Sequence, residues 1–116
     1  MNTSYFASPK IKQTDPRLVS VSRQQPVWFY SSIKIYKPLC PSWELVMSYK
    51  EGKITEKQYT ERYYSEVLDK LDPVKTYQEL GEDAILLCYE KPKKFCHRRV
   101  IAYWFLEHLN IEVNEL

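Results

Sequence analysis

Glycine is scarce in this chain: of 116 residues only Gly52 and Gly81 are glycine. Neither falls within the apolar-strand, basic-loop, helix pattern over 84–98, so a glycine-rich loop wrapping a phosphate is excluded there. Cysteine is scarce too. The three present, Cys40, Cys88 and Cys96, are too few and too scattered for a disulfide framework, and a reducing cytoplasm is the expected compartment. Long apolar runs are missing: Ala84–Tyr89 and Val100–Leu106 fall far short of a bilayer span. Met1-Asn2-Thr3-Ser4-Tyr5 has no basic stretch leading into an apolar one, so neither a signal peptide nor a membrane partner is expected. An excess of one charge is also lacking. The 17 basic residues face 15 acidic ones, which argues for a local anion site rather than a broad nucleic-acid-binding face.

What is present suits one α/β domain over residues 1–116. Apolar residues make up 44% and charged residues 28%, enough to bury about two-thirds of the unfolded surface without a metal or disulfide staple. Short apolar or alternating segments at 4–7, 18–22 and 111–114 read as strands, and 33–36 as a weaker one. The run Ala84-Ile85-Leu86-Leu87-Cys88-Tyr89 is continuously apolar, the mark of a strand covered on both faces in a parallel sheet. Ser42 is a candidate N-cap for a helix to about Tyr49, with Gly52 after it. Thr55 and Gln58 form a capping-box pattern ahead of a helix from Glu56 to about Leu71, with Tyr59, Tyr63, Val67 and Leu71 on one face. Asp72-Pro73 opens another helix, which Gly81 ends. A last helix spans Phe95 or Cys96 to Asn110. Strands alternating with helices predict a small Rossmann-like three-layer fold with a short, mostly parallel sheet.

In such sheets ligands sit at the carboxyl ends of the strands. The last long helix starts there near Cys96, beside Lys91, Lys93, Lys94, Arg98 and Arg99, and its free N–H groups suit an anion. Arg23, at the end of the second strand, converges on the same edge, so Arg23 and Arg98 are candidate ligand-binding residues. The structural alternative is that the lysines are solvated and Arg98 pairs with Glu90. Glu90 is a candidate general base, or else a salt-bridge partner of Arg98 or Arg23. His97 is a candidate acid–base group near neutral pH, or else a ring that holds the loop. Cys96, at a helix start among basic groups, is a candidate nucleophile. It lacks the spacing to arginine of the cysteine phosphatases, and a packed structural thiol is the simpler reading. Cys88, Cys96 and His97 are soft ligands but not at a zinc spacing, since adjacent helix positions diverge by about 100°. No metal and no cofactor are therefore expected. Trp28, on a loop after Arg23, is a candidate stacking platform for a base or sugar.

The segment Leu86-Leu87-Cys88-Tyr89-Glu90, followed by Cys96-His97-Arg98, resembles the C-terminal signature of the domain of unknown function 488 family. Val19-Ser20-Val21-Ser22-Arg23 with Pro26 is similar to that family's strand ending in arginine, and Tyr5-Phe6-Ala7 would be its first strand. The resemblance implies a Rossmann-like α/β fold and a site containing Arg23, Glu90, Cys96, His97 and Arg98, but no settled reaction. Val21 stands where many relatives carry aspartate. The expected function is a domain that binds a phosphate-bearing ligand, a nucleotide or nucleic acid, or an enzyme acting on one. The alternative is a non-catalytic protein-interaction module in which the motif is a structural brace.

Overall fold

Helix starts are where local chemistry decides most. In a computed structural model describing residues 1–116, the Ser42 side chain accepts from the Leu45 N–H ahead of α1 (Trp43–Lys50). Thr55 and Gln58 form a full capping box at α2 (Glu56–Glu66), and Asp72 caps α3 (Pro73–Leu80). Each cap satisfies donors that a helix start leaves free. Gly81 follows α3 at φ 91°, a region open to glycine and strained for other residues. The last helix, α4 (His97–Leu109), ends on Asn110 in the left-handed conformation.

Five parallel strands form one sheet in the order β3-β2-β4-β1-β5. They are β1 (Asn2–Tyr5), β2 (Leu18–Ser20), β3 (Lys34–Ile35), β4 (Ile85–Cys88) and β5 (Asn114–Glu115). The central position of β4 explains its unbroken apolar sequence, since Ile85, Leu86, Leu87 and Cys88 are all buried. Leu86 and Cys88 face the larger core with Val19 and Val21, beneath Leu45, Tyr59, Tyr63, Val100, Ile101, Trp104 and Phe105 of the helices. Ile85 and Leu87 face a smaller cluster with Phe6, Leu18 and Phe29.

The two faces are covered differently. Strand order makes the chain move one way through β1, β2 and β3, then back to β4 and out to β5. Crossovers of one hand that run in opposite directions must lie on opposite faces. The connections at 6–17 and 21–33 contain no helix and cover the smaller cluster, whereas all four α-helices pack on the other face. The parallel α/β sheet is thus as the sequence predicts, with irregular chain forming its third layer.

Several element boundaries shift from their sequence positions: β2 ends at Ser20 rather than Ser22, and β3 covers Lys34–Ile35 rather than 33–36. β1 covers residues 2–5 rather than 4–7, because Asn2 through Tyr5 pair in register with Ile85 through Cys88. The expected long helix after Thr55 stops at Glu66. Val67 leaves the helical region at φ -125°, and a 3-10 turn at Leu68–Lys70 directs Leu68 into the core. β5 lies at 114–115 rather than 111–114, as residues 110–113 carry the chain from the helix end to the sheet edge. No helix is long and apolar enough to cross a membrane.

Candidate functional site

The carboxyl ends of β2, β3 and β4 release the chain into three loops on one edge. Together with α1 these loops enclose a cavity of about 240 Å³. The β2 loop contributes Ser22, Arg23 and Gln24, the β4 loop Tyr89, Glu90 and Phe95, and the start of α4 Cys96 and His97. Trp43, Val46, Tyr49 and Lys50 line it from α1. This is the location the open-sheet rule predicts.

One wall is aromatic. The Phe95 ring lies 5.3 Å from that of Tyr49 and 5.1 Å from that of Tyr59, so the three rings brace each other. Trp43, half exposed at the first turn of α1, extends this wall outward. The polar groups are arranged around it. Arg23 Nε donates to the Pro41 carbonyl at 2.8 Å, which fixes the side chain and leaves both terminal nitrogens without a protein partner. Lys50 and Glu90 also line the cavity, and neither forms an ion pair. The Glu90 carboxylate is thus paired with neither Arg98 nor Arg23, the partners considered for it from sequence.

His97 is buried at the mouth of α4. Its Nε2 lies 2.7 Å from the Val21 carbonyl, an acceptor only, so Nε2 carries the proton and Nδ1 keeps its lone pair. Burial pushes the imidazole down to about 4, against the Val21 hydrogen bond and with the Arg98 charge adding to the depression. The ring is therefore neutral at physiological pH, well removed from a titration near neutrality.

Arg98 turns away from the cavity. It is only 1% exposed, and its guanidinium is committed internally. Nε and Nη2 form a bidentate pair with Glu115 at 3.0 and 2.7 Å, and Nη1 donates to the Glu90 carbonyl at 2.6 Å. The same Nη1 lies 3.1 Å from Cys88 Sγ. The ion-pair partner of Arg98 is Glu115 on β5, not Glu90; Glu90 offers its backbone oxygen alone. Burial would push the Glu115 carboxyl up, but the hydrogen bonds from Arg98 and Thr3 and the charges of Arg98 and Arg99 hold it below the usual glutamate range.

The structure brings Cys88 and Cys96 together. Their sulfurs meet as a disulfide pair across the β4–α4 loop, with Cα atoms 7.1 Å apart. The scattered spacing in the sequence conceals this contact, because the sheet end and the helix start close the loop. Cys40 stands apart in the core, where burial pushes its thiol up to about 11.

Of the residues singled out from sequence, Arg23, Glu90, Cys96 and His97 converge on the cavity. Arg98 lies behind it. Trp28 does not line it; the ring is exposed and packs edge-on against Phe29, on the loop covering the opposite face. Trp43, Tyr49 and Lys50 were not legible as site residues. Their only local signal is a tryptophan placed directly after the Ser42 cap, at a position of α1 that is left exposed.

No curated protein and no solved structure matches the chain. A family model described as the active DUF488-N3 subclade (DUF488-N3a) matches residues 10–109, a span that includes Arg23, Glu90 and the Cys96-His97-Arg98 start of α4. A match over most of the chain, carried by a fold and motif of the expected kind, places this protein in the DUF488 family.

Proposed function

We propose that the cleft at the carboxyl ends of β2 and β4 binds a phosphate-bearing ligand, a nucleotide or nucleic acid. The observation that carries this reading is the pairing of the unpartnered Arg23 terminal nitrogens with an aromatic wall. A guanidinium held at Nε presents its other N–H groups to a phosphate as a fork. Lys50 adds a second cation to the lining of the same cavity. Trp43 and Tyr49 offer faces on which a base stacks regardless of its identity. The α4 start has no side-chain cap, so its amides add donors at the same edge. Arg98 serves in this reading as the brace behind the loop. The Glu90 carboxylate, which makes no hydrogen bond or ion pair within the protein, is the group available to move a proton if the protein acts on its ligand. The family description's word "active" accords with an enzyme.

The burial of Arg98 favours the brace role from the alternative reading for that one residue. An interaction module, however, gives no account of Arg23, Lys50 and Glu90 lining one concave site.

Arg23→Ala tests the proposal. Binding of inorganic phosphate, mononucleotides and a short single-stranded oligonucleotide is measured by calorimetry at fixed low salt. The variant is expected to lose at least about tenfold in affinity, the scale of one charge-assisted hydrogen bond, with an unchanged melting temperature because Arg23 is exposed. Equal affinities for variant and wild type, or no binding by wild type, would rule the reading out.

A further inference from the structure

We propose that, once a thiol reductant has opened the Cys88–Cys96 disulfide to two thiols, Cys88, Cys96 and His97 form a binding site for a soft divalent metal of the zinc class, each thiol giving its proton to solvent as the ion binds, with the fourth position open to the cleft. The donor atoms of these three buried residues all lie within 4.8 Å of one another. Spacing along the sequence conceals this, because residues 96 and 97 would diverge if both were helical. Cys96 is not helical. It is the N-cap of α4, with extended backbone at φ -148° and ψ 143°. That conformation turns its sulfur back to within 3.8 Å of His97 Nδ1.

Three further features fit a metal. The His97 Nε2–H is donated to the Val21 carbonyl at 2.7 Å, which sets the tautomer with Nδ1 as ligand and orients the ring. Such a second-sphere carbonyl is the usual companion of a metal-bound histidine. Arg98 Nη1 donates to Cys88 Sγ at 3.1 Å, a contact suited to the negative charge of a metal-bound thiolate. The Cα atoms of the two cysteines are 7.1 Å apart, beyond the range of roughly 4.4–6.8 Å usual for direct sulfur–sulfur bridging. An ion with two bonds of about 2.3 Å to sulfur fits that span. Two thiolates balance the charge of a divalent ion, and the Arg98–Glu115 pair is neutral in itself.

Cys96 and His97 also line the cleft, whereas Cys88 lies behind them. Three protein ligands with a free position is the pattern of zinc sites that take part in binding or chemistry, as distinct from closed four-ligand structural sites. The ion would therefore meet whatever the cleft holds. Its presence does not depend on the phosphate-binding proposal.

The reduced, metal-free full chain is titrated with Co²⁺, followed by absorption, and then with Zn²⁺. The proposal predicts one equivalent of Co²⁺, with thiolate-to-cobalt charge transfer in the near ultraviolet, intense tetrahedral d–d bands, and displacement of both by Zn²⁺. Cys40→Ser keeps these bands, and Cys88→Ser or Cys96→Ser weakens binding at least about tenfold. If a cysteine variant fails to fold, Zn²⁺ protection of Cys88 and Cys96 from alkylation in the wild-type chain, mapped by mass spectrometry, replaces it. Absence of the charge-transfer bands in the wild type overturns the proposal. So does a Cys88–Cys96 disulfide that persists in reductant, or protection that is no greater with Zn²⁺ than without. Since none of these readings requires a nucleotide, failure here leaves the phosphate-binding result to be judged separately.

Discussion

Arg98→Ala is expected to lower the stability of the chain by about 3–5 kcal/mol in urea denaturation, the usual cost of removing one partner from a buried ion pair. Arg98 is 1% exposed and holds Glu115 through two nitrogens and the Glu90 carbonyl through a third. Its loss leaves a half-buried carboxylate without its cation and frees the β4–α4 loop from the sheet. A double change, Arg98→Met with Glu115→Leu, should recover part of the loss, because it removes the stranded charge. The pair also sets an acid limb. The carboxyl of Glu115 is held below its ordinary value in the folded state, so its contribution is fully present above the unfolded value near 4.5 and is lost as pH falls through the folded one. Glu115→Gln should therefore flatten the loss of stability in that acid window. An Arg98→Ala chain as stable as wild type would remove the brace from the account.

The second large effect concerns α4. Phe105→Ala is expected to cost about 3–5 kcal/mol, lowering the melting temperature by more than about 10 °C. Its ring is fully buried, 5.6 Å from that of Tyr77 and 5.1 Å from that of Trp104, so its removal leaves an apolar cavity that the surrounding side chains close only in part. Tyr103→Ala, two residues earlier and 64% exposed, should change it by no more than about 0.5 kcal/mol. Equal melting temperatures for the two variants would mean that the helix is not packed on this face.

Much of the fold is legible because it is local. The caps at Ser42, Thr55 and Asp72 are each formed by residues within three positions of one another. The unbroken apolar run of β4 reports burial on both faces without any knowledge of its neighbours. The motif residues Arg23, Glu90, Cys96 and His97 are legible as a set because strand ends and a helix start converge in any parallel sheet. What depends on distant pairing is not. Glu115 meets Arg98 from 17 residues away, and Trp43 and Lys50 reach the cleft only once α1 has packed beside it. Trp28 shows the same limit from the other side. Its place in the sequence, soon after Arg23, suggests the cleft, yet the loop that bears it crosses to the opposite face. The convergence of Cys88, Cys96 and His97 is hidden for a subtler reason. Whether neighbours diverge depends on whether Cys96 belongs to the helix, and as its N-cap it does not.

The most direct test of the cleft as a phosphate-ligand site is an amide chemical-shift map of the wild-type chain with a mononucleotide or a short single-stranded oligonucleotide. The largest shifts are expected at Ser22–Gln24, Trp43, Lys50, Glu90 and the first turn of α4 from His97, with Trp28 and the loop around it unmoved. Shifts centred on Trp28 and Phe29, or none in the cleft at saturating ligand, would contradict the assignment.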